Sequence, residues 1–282
     1  MTGTKTVTVN NLTFDCYVSG NESDPLVLLL HGFPETAHMW LSLMDELADA
    51  GFYCVAPNQR GYSKGARPRG KKHYTLSKLS ADVLGMVQAL GREQFHLIGH
   101  DWGAAIGWKV VHDHPAKILS WTGLSVPHLQ AFFGAVAKDK DQRQRSRYMS
   151  AFQFPLLPEM NIRKNDFRIF RRLWKYSSKI EVENYLSVFR DKKTLTAALN
   201  YYRANGGLVK RAMQSQIIGD ITVPTLFIWG ENDKAIGPVS VENGHKYMKG
   251  YYKFLPLEAG HWLIQTKYEE IHVAVKEHLL KF

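Results

Sequence analysis

The strongest constraint on this chain is an alternation of strand-like and helix-like stretches that breaks off once and later resumes. Apolar alternation over residues 6–9 and 12–17, divided by Asn10-Asn11, predicts an opening β-hairpin. The uniformly aliphatic run Leu26–Leu30, with Pro25 before it, reads as a strand buried on both faces. Then follow an amphipathic helix over 40–50, a strand over 52–56 and a helix over 76–90. In the last of these, Leu76, Leu79, Val83, Val87 and Leu90 recur at steps of 3, 4, 4 and 3, which puts them on one helical face. A strand over 95–98, a helix over 103–112 and a strand over 118–124 continue the series. Such alternation predicts an α/β fold, a parallel sheet covered on both sides by helices.

The pattern stops near Val126 and returns at Thr225, with strands over 225–229 and 251–255 and a terminal helix over 269–281. The intervening stretch of about 90 residues is aromatic and helix-like, carrying Phe132, Phe133, Phe152, Phe154, Phe167, Phe170 and Trp174. We therefore expect a core of residues 1–126 and 217–282 and an inserted helical cap of 127–216. Charge sharpens this division. The net charge is +10, but residues 128–216 hold 18 Lys and Arg against 7 Asp and Glu, leaving 18 basic and 19 acidic residues elsewhere. A basic cap admits three readings: a solvated exterior, the ordinary fate of a charge run; a nucleic-acid or anionic-membrane surface; or a lure for substrates with a carboxylate tail. No nucleic-acid partner is expected.

Other classes fall away on simple grounds. The run Leu26–Leu30 is far short of the ~20 apolar residues of a membrane span. The first seven residues alternate polar and β-branched side chains and lack a secretory h-region, so the expected location is cytoplasmic. Two cysteines, Cys16 and Cys54, lie in apolar strand-like segments and read as buried thiols rather than a disulfide framework. His112-Asp113-His114 ends a helix before Pro115, where cations suit the helix dipole, and two ligands make a weak metal site. No Gly-rich phosphate loop occurs in the right context. Neither a metal nor a cofactor is expected.

Gly99-His100-Asp101-Trp102-Gly103 lies between a buried strand and a helix, with the spacing of a G-x-S-x-G nucleophile elbow but with aspartate in the serine position. The turn lifts the central side chain over the sheet edge and aims the following backbone N–H groups at whatever it holds. The competing reading is that Asp101 only caps the next helix. Two later residues weigh against it: Asp233 follows a core strand, and His261 follows the last strand. Nucleophile, acid and histidine in that chain order, each on a loop beyond a strand's carboxyl end, is the order of α/β-hydrolases.

At this point the chain resembles the α/β-hydrolase superfamily and, within it, the epoxide hydrolases. The likeness spans essentially the whole sequence. His31-Gly32-Phe33-Pro34-Glu35 is similar to that family's H-G-x-P motif, and Arg60-Gly61-Tyr62 with Ser63 matches a further family pattern. In the insertion, Tyr148 and Tyr202 resemble the family's two lid tyrosines; Tyr201, beside Tyr202, is the obvious source of a one-residue confusion. The resemblance implies an α/β-hydrolase fold with a mostly parallel twisted sheet and a helical lid, a cis bond before Pro34, and one oxyanion donor from the backbone of Phe33.

A carboxylate opens a strained sp³ carbon by in-line displacement, leaving an alkyl ester, whereas a serine suits acyl transfer. The expected reaction is therefore hydrolysis of a small lipophilic epoxide to a vicinal diol. Asp101 attacks, Tyr148 and Tyr202 protonate the developing alkoxide, and His261, oriented by Asp233, draws a proton from water. The N–H groups of Phe33 and Trp102 hold the tetrahedral oxyanion, with Phe33, Trp102, Tyr148, Tyr202 and Trp174 around the substrate. The runner-up is a haloalkane dehalogenase: the Trp102 indole could donate to a halide, Phe33 offers no side-chain N–H, and Trp174 is the candidate for a second donor. A non-catalytic binder on the same fold is the third possibility. Oligomeric state is not legible.

Overall fold

The computed structural model describes residues 2–282. Its strands are β1 (Gly3–Val9), β2 (Leu12–Ser19), β3 (Leu26–Leu30), β4 (Tyr53–Pro57), β5 (Phe95–His100), β6 (Ile118–Leu124), β7 (Thr225–Gly230) and β8 (Tyr252–Leu257). They form one eight-stranded sheet in the order β1-β2-β4-β3-β5-β6-β7-β8. The hairpin pairs antiparallel, and β2 is also antiparallel to β4; every later neighbour is parallel. Asn10 and Asn11 both take positive φ at the hairpin turn, which short amide side chains tolerate better than most.

β3, β4, β5 and β7 are buried along their whole length, as strands covered on both faces must be, which explains their unbroken apolar sequences. The covering helices are α1 (Leu41–Asp49), α2 (Leu76–Ala89) and α3 (Trp102–Asp113) in the first half. On α2 the expected face, Leu76, Leu79, Val83 and Val87, is buried together with Met86, while Leu90 caps the helix and is only half-buried. A 3₁₀ turn over Ala37–Trp40 takes the start of the first expected helix.

Between β6 and β7 the chain is helical: α4 (Leu129–Lys138), α5 (Lys140–Arg145), α6 (Arg147–Ala151), α7 (Leu157–Leu173), α8 (Lys179–Phe189), α9 (Lys192–Asn205) and α10 (Leu208–Gln214). The α7 ladder is broken at Lys164–Phe167, where Asn165, Asp166 and Phe167 have φ of 53°, 50° and 57°. This break turns the second half so that Phe167 and Phe170 both reach the interior. α11 (Pro238–His245), α12 (Leu263–Thr266) and α13 (Tyr268–Lys281) complete the fold. Both cysteines are free and buried, and burial pushes the Cys16 thiol up to about 12. Among the described residues no helix is long and apolar enough to cross a membrane.

Candidate active site

Four loops beyond the carboxyl ends of parallel strands converge on one point. Asp101 follows β5 and sits at φ 51°, ψ −115°, a conformation that L-residues avoid and that persists only where surroundings impose it. Glycine makes the turn possible: a Cβ on Gly103 would lie 2.0 Å from the Leu30 carbonyl oxygen, and one on Gly32 would lie 2.3 Å from Asp101 Cβ. The Asp101 side chain makes no capping bond to α3. Its Oδ1 instead accepts from the backbone N–H of Phe33 at 2.7 Å, across a separation of 68 residues. The capping alternative therefore fails, and the elbow reading accounts for the strain.

The Phe33 N–H is held by its own loop. The Phe33–Pro34 bond is cis. His31 is fully buried, and burial pulls its pKa down to about 4, so it is neutral. Its Nδ1–H donates to the Gly32 carbonyl at 3.0 Å, and its Nε2 accepts from the Gln59 N–H at 3.1 Å. Trp102 is the first residue of α3, where a backbone N–H has no intrahelical acceptor. Of the two roles expected of Phe33, backbone donor and substrate contact, the second departs from the structure: its ring packs among Phe152, Phe170, Phe189 and Tyr202 and is not part of the cavity wall.

His261 follows β8, with Nε2 3.5 Å from Asp101 Oδ2 and Nδ1 2.7 Å from Asp233 Oδ2. Asp233 is completely buried, and its other oxygen accepts the N–H groups of Ala235 at 2.7 Å and Ile236 at 3.1 Å. Burial alone lowers the basicity of His261, but the charge of Asp233 and the hydrogen bonds to both carboxylates raise its pKa well above the ordinary value. Burial alone would raise the Asp101 carboxyl; the hydrogen bond and charge of His261 bring it below the usual range. Asp101 thus favours the carboxylate and His261 the imidazolium.

A cavity opens over Asp101. Phe132, Phe133, Leu129, Met149 and Ile236 give it apolar walls, and Trp102, Tyr148 and Tyr202 share it with Asp101. The two phenol rings are 5.9 Å apart at their centroids, and the indole of Trp102 lies 5.1 Å from the ring of Tyr202. Burial, with the nearby charge of Asp101, drives both phenol pKa values far up, so both remain protonated donors. Tyr201 differs from Tyr202: it does not line the cavity, and its hydroxyl donates to the Arg60 carbonyl at 2.7 Å. Arg60 is itself pinned by Asp82 through two bonds of 2.6 Å, which gives the Arg60-Gly61-Tyr62 run a structural purpose.

Trp174 does not reach this cavity. It is buried beside Phe170 and Tyr185, at centroid distances of 5.1 and 5.2 Å, and its indole N–H has no partner there. Conversely, the sequence reading missed residues that support the site. Ser125 Oγ and His100 Nε2 both donate to the His261 carbonyl at 3.0 Å. His100 Nδ1 stands 3.4 Å from Glu35 Oε2, and Gln265 donates to Glu35 Oε1 at 2.7 Å. Gln142, fully buried on α5, donates to the Ala235 carbonyl at 2.7 Å and accepts from the Gly237 N–H at 2.8 Å, while Arg145 donates to the Asp233 carbonyl. His100 and Glu35 stood inside quoted motifs; Gln142 carried no local signal, because its importance lies in a contact 93 residues away.

Comparison with known proteins agrees with this architecture. Residues 25–268 match the alpha/beta hydrolase fold family. The AB hydrolase superfamily protein YfhM of Bacillus subtilis is 29% identical, covering 97% of this chain and 96% of that protein. Human Epoxide hydrolase 4 is 31% identical, covering 92% of this chain and 73% of that protein. The crystal structure of a Bacillus megaterium epoxide hydrolase in complex with an inhibitor superposes with a TM-score of 0.88 at 25% identity, covering 98% of this chain and 99% of that one.

Proposed function

This chain belongs to the epoxide hydrolases of the alpha/beta hydrolase fold family, and on that premise we propose that it hydrolyses a small lipophilic epoxide to a vicinal diol through an ester on Asp101. The observation that carries the proposal is one cavity holding a buried carboxylate on its floor and two protonated phenols, Tyr148 and Tyr202, in its walls. Asp101 Oδ1 is engaged by the Phe33 N–H, which leaves Oδ2 to attack a ring carbon as its C–O bond breaks. The electron pair of that bond passes to the ring oxygen, and a phenol delivers the proton that makes it a hydroxyl.

Esterification removes the negative charge of Asp101, one of the two charges that raise the His261 pKa. The imidazolium then gives up its proton more readily, which restores the phenol that protonated the ring oxygen, and the neutral ring, held by Asp233, takes a proton from water. Water adds to the ester carbonyl, with the oxyanion on Oδ1 facing the N–H groups of Phe33 and Trp102. Collapse breaks the ester C–O bond, the proton of the added hydroxyl passes to the departing alkoxide, and the Asp101 carboxylate and the diol are formed. The apolar walls favour a lipophilic substrate.

A haloalkane dehalogenase would use the same nucleophile but needs a second side-chain donor for the departing halide. Phe33 has none, and the Trp174 indole is outside the cavity. The deciding experiment follows diol formation on aryl epoxides and halide release from bromoalkanes in parallel, with Asp101→Asn as control. Diol formation that disappears in the variant is the expected result. Halide release without diol, or diol formation surviving in the variant, would refute the proposal.

A further inference from the structure

The cap carries an outer face that neither the fold nor the site accounts for. Among the described residues, eight of the thirteen large apolar side chains that stand exposed fall within residues 154–180. Leu156, Met160 and Ile180 are 70%, 66% and 74% exposed. Leu157, Ile169 and Leu173 are also exposed on α7, whose Ile162, Phe167 and Phe170 are buried. The same 27 residues hold seven Lys and Arg against two acids. Both acids are already paired, Glu159 with Arg203 and Asp166 with Arg171. Lys164, Arg168, Arg172, Lys175 and Lys179 engage no carboxylate among the described residues.

We propose that this face of the cap docks on an anionic lipid surface, its cations meeting headgroups while its aliphatic side chains enter the acyl boundary. Charge complementarity selects the occupant. A second copy of the chain would bring the same positive face, or a remainder of nearly zero net charge, so it offers no match. A nucleic acid would satisfy the cations, but it has no use for a row of leucine, isoleucine and methionine side chains standing in water. Basic residues interleaved with exposed aliphatics are what an interfacial helix presents to a negatively charged bilayer. Each Lys or Arg at such a surface adds about 1 kcal/mol, roughly a fivefold gain in affinity. The docking does not depend on the epoxide reading, although a cap resting on lipid would set the cavity near the source of a lipophilic substrate.

Sedimentation of the full chain with vesicles tests this directly. One set is pure phosphatidylcholine; the other contains roughly 30 mol% phosphatidylglycerol, enough to carry the surface charge that the proposal requires. We expect binding to the charged vesicles at least about tenfold stronger than to the neutral ones, and its loss in about 0.5 M NaCl as screening shortens the reach of the cations. Arg168→Glu with Arg172→Glu and Lys175→Glu should weaken it roughly a hundredfold or more. Leu156→Asp with Met160→Asp should also abolish it, and both variants should keep the circular dichroism spectrum and the turnover of a water-soluble substrate. Equal binding to both vesicle types, or full binding by either variant, would overturn the proposal. So would binding confined to a DNA or RNA duplex, or a dimer in light scattering that these substitutions dissolve.

Discussion

Asp233→Asn isolates the part of the site most tightly specified by its surroundings. Asp233 is buried completely, with Oδ1 accepting two backbone N–H groups and Oδ2 facing His261 Nδ1. In the asparagine variant the amide oxygen must take the Oδ1 position, because the N–H groups of Ala235 and Ile236 can only donate. The amide NH₂ is then left against Nδ1, which has to become an acceptor. The ring proton moves to Nε2, and a nitrogen that already carries a proton cannot receive one from water. An inverted tautomer of this kind costs roughly 10³–10⁴-fold, or about 4–5.5 kcal/mol in the barrier. The loss should fall on hydrolysis of the ester, since the Asp101 carboxylate is still free to attack. Stopped-flow Trp102 fluorescence and intact-protein mass spectrometry separate the two steps: we expect ester formation within about tenfold of the parent rate and an accumulated adduct of substrate mass. A variant that turns over within tenfold of the parent, or loses both steps equally without an adduct, would refute the tautomer argument.

Two further outcomes follow from the same geometry. Tyr148→Phe and Tyr202→Phe should each slow ester formation by about 10- to 10³-fold, as expected for loss of one of two donors to a developing oxyanion, and leave hydrolysis of any preformed ester nearly unchanged; single-turnover kinetics in both variants that match the parent would exclude the phenols. The raised pKa of His261 also makes stability depend on pH: its contribution is complete below the unfolded value of about 6.5 and is lost as pH rises through the folded value. Thermal melting from about pH 6 to about pH 9 should therefore fall more steeply in the parent than in His261→Gln, and parallel curves would show that the charge coupling is absent.

The centre of the sheet was legible because β3, β4, β5 and β7 are short runs closed by turns, and burial on two faces demands an apolar sequence. Boundaries moved by one or two residues, as at β4, where Pro57 ends the strand and Phe52 stands just before it. The elbow was legible because α3 can pack this closely on β5 only with glycine at 99, and on β3 only with glycine at 103. The kink in α7 was not, since Asn165, Asp166 and Phe167 follow an ordinary helical pattern and only the burial of Phe167 gives the left-handed turn a reason. Trp174 misled for the opposite cause: chemistry made its indole attractive, but cap packing carried it away from the cavity. The Phe33 backbone, expected to be a donor, meets Asp101, whereas its ring packs away from the cavity wall. Gln142 and the His100–Glu35 pair depend on contacts between distant segments, which local pattern does not encode.

The bridge from Gln142 to the loop of Asp233 has a consequence for inheritance and for protein engineering. A buried amide that satisfies groups on both sides cannot be separated from its partners without leaving several of them unmet, at roughly 1–3 kcal/mol apiece. Residue 142 and the segment 235–240 therefore travel as one module, although they are far apart in the chain. A chimera that takes its cap from one parent and this loop from another would inherit a mismatched joint beneath Asp233, however well its two halves fold. Transplanted caps should carry the loop with them, and crossovers placed between these two segments are the ones to avoid.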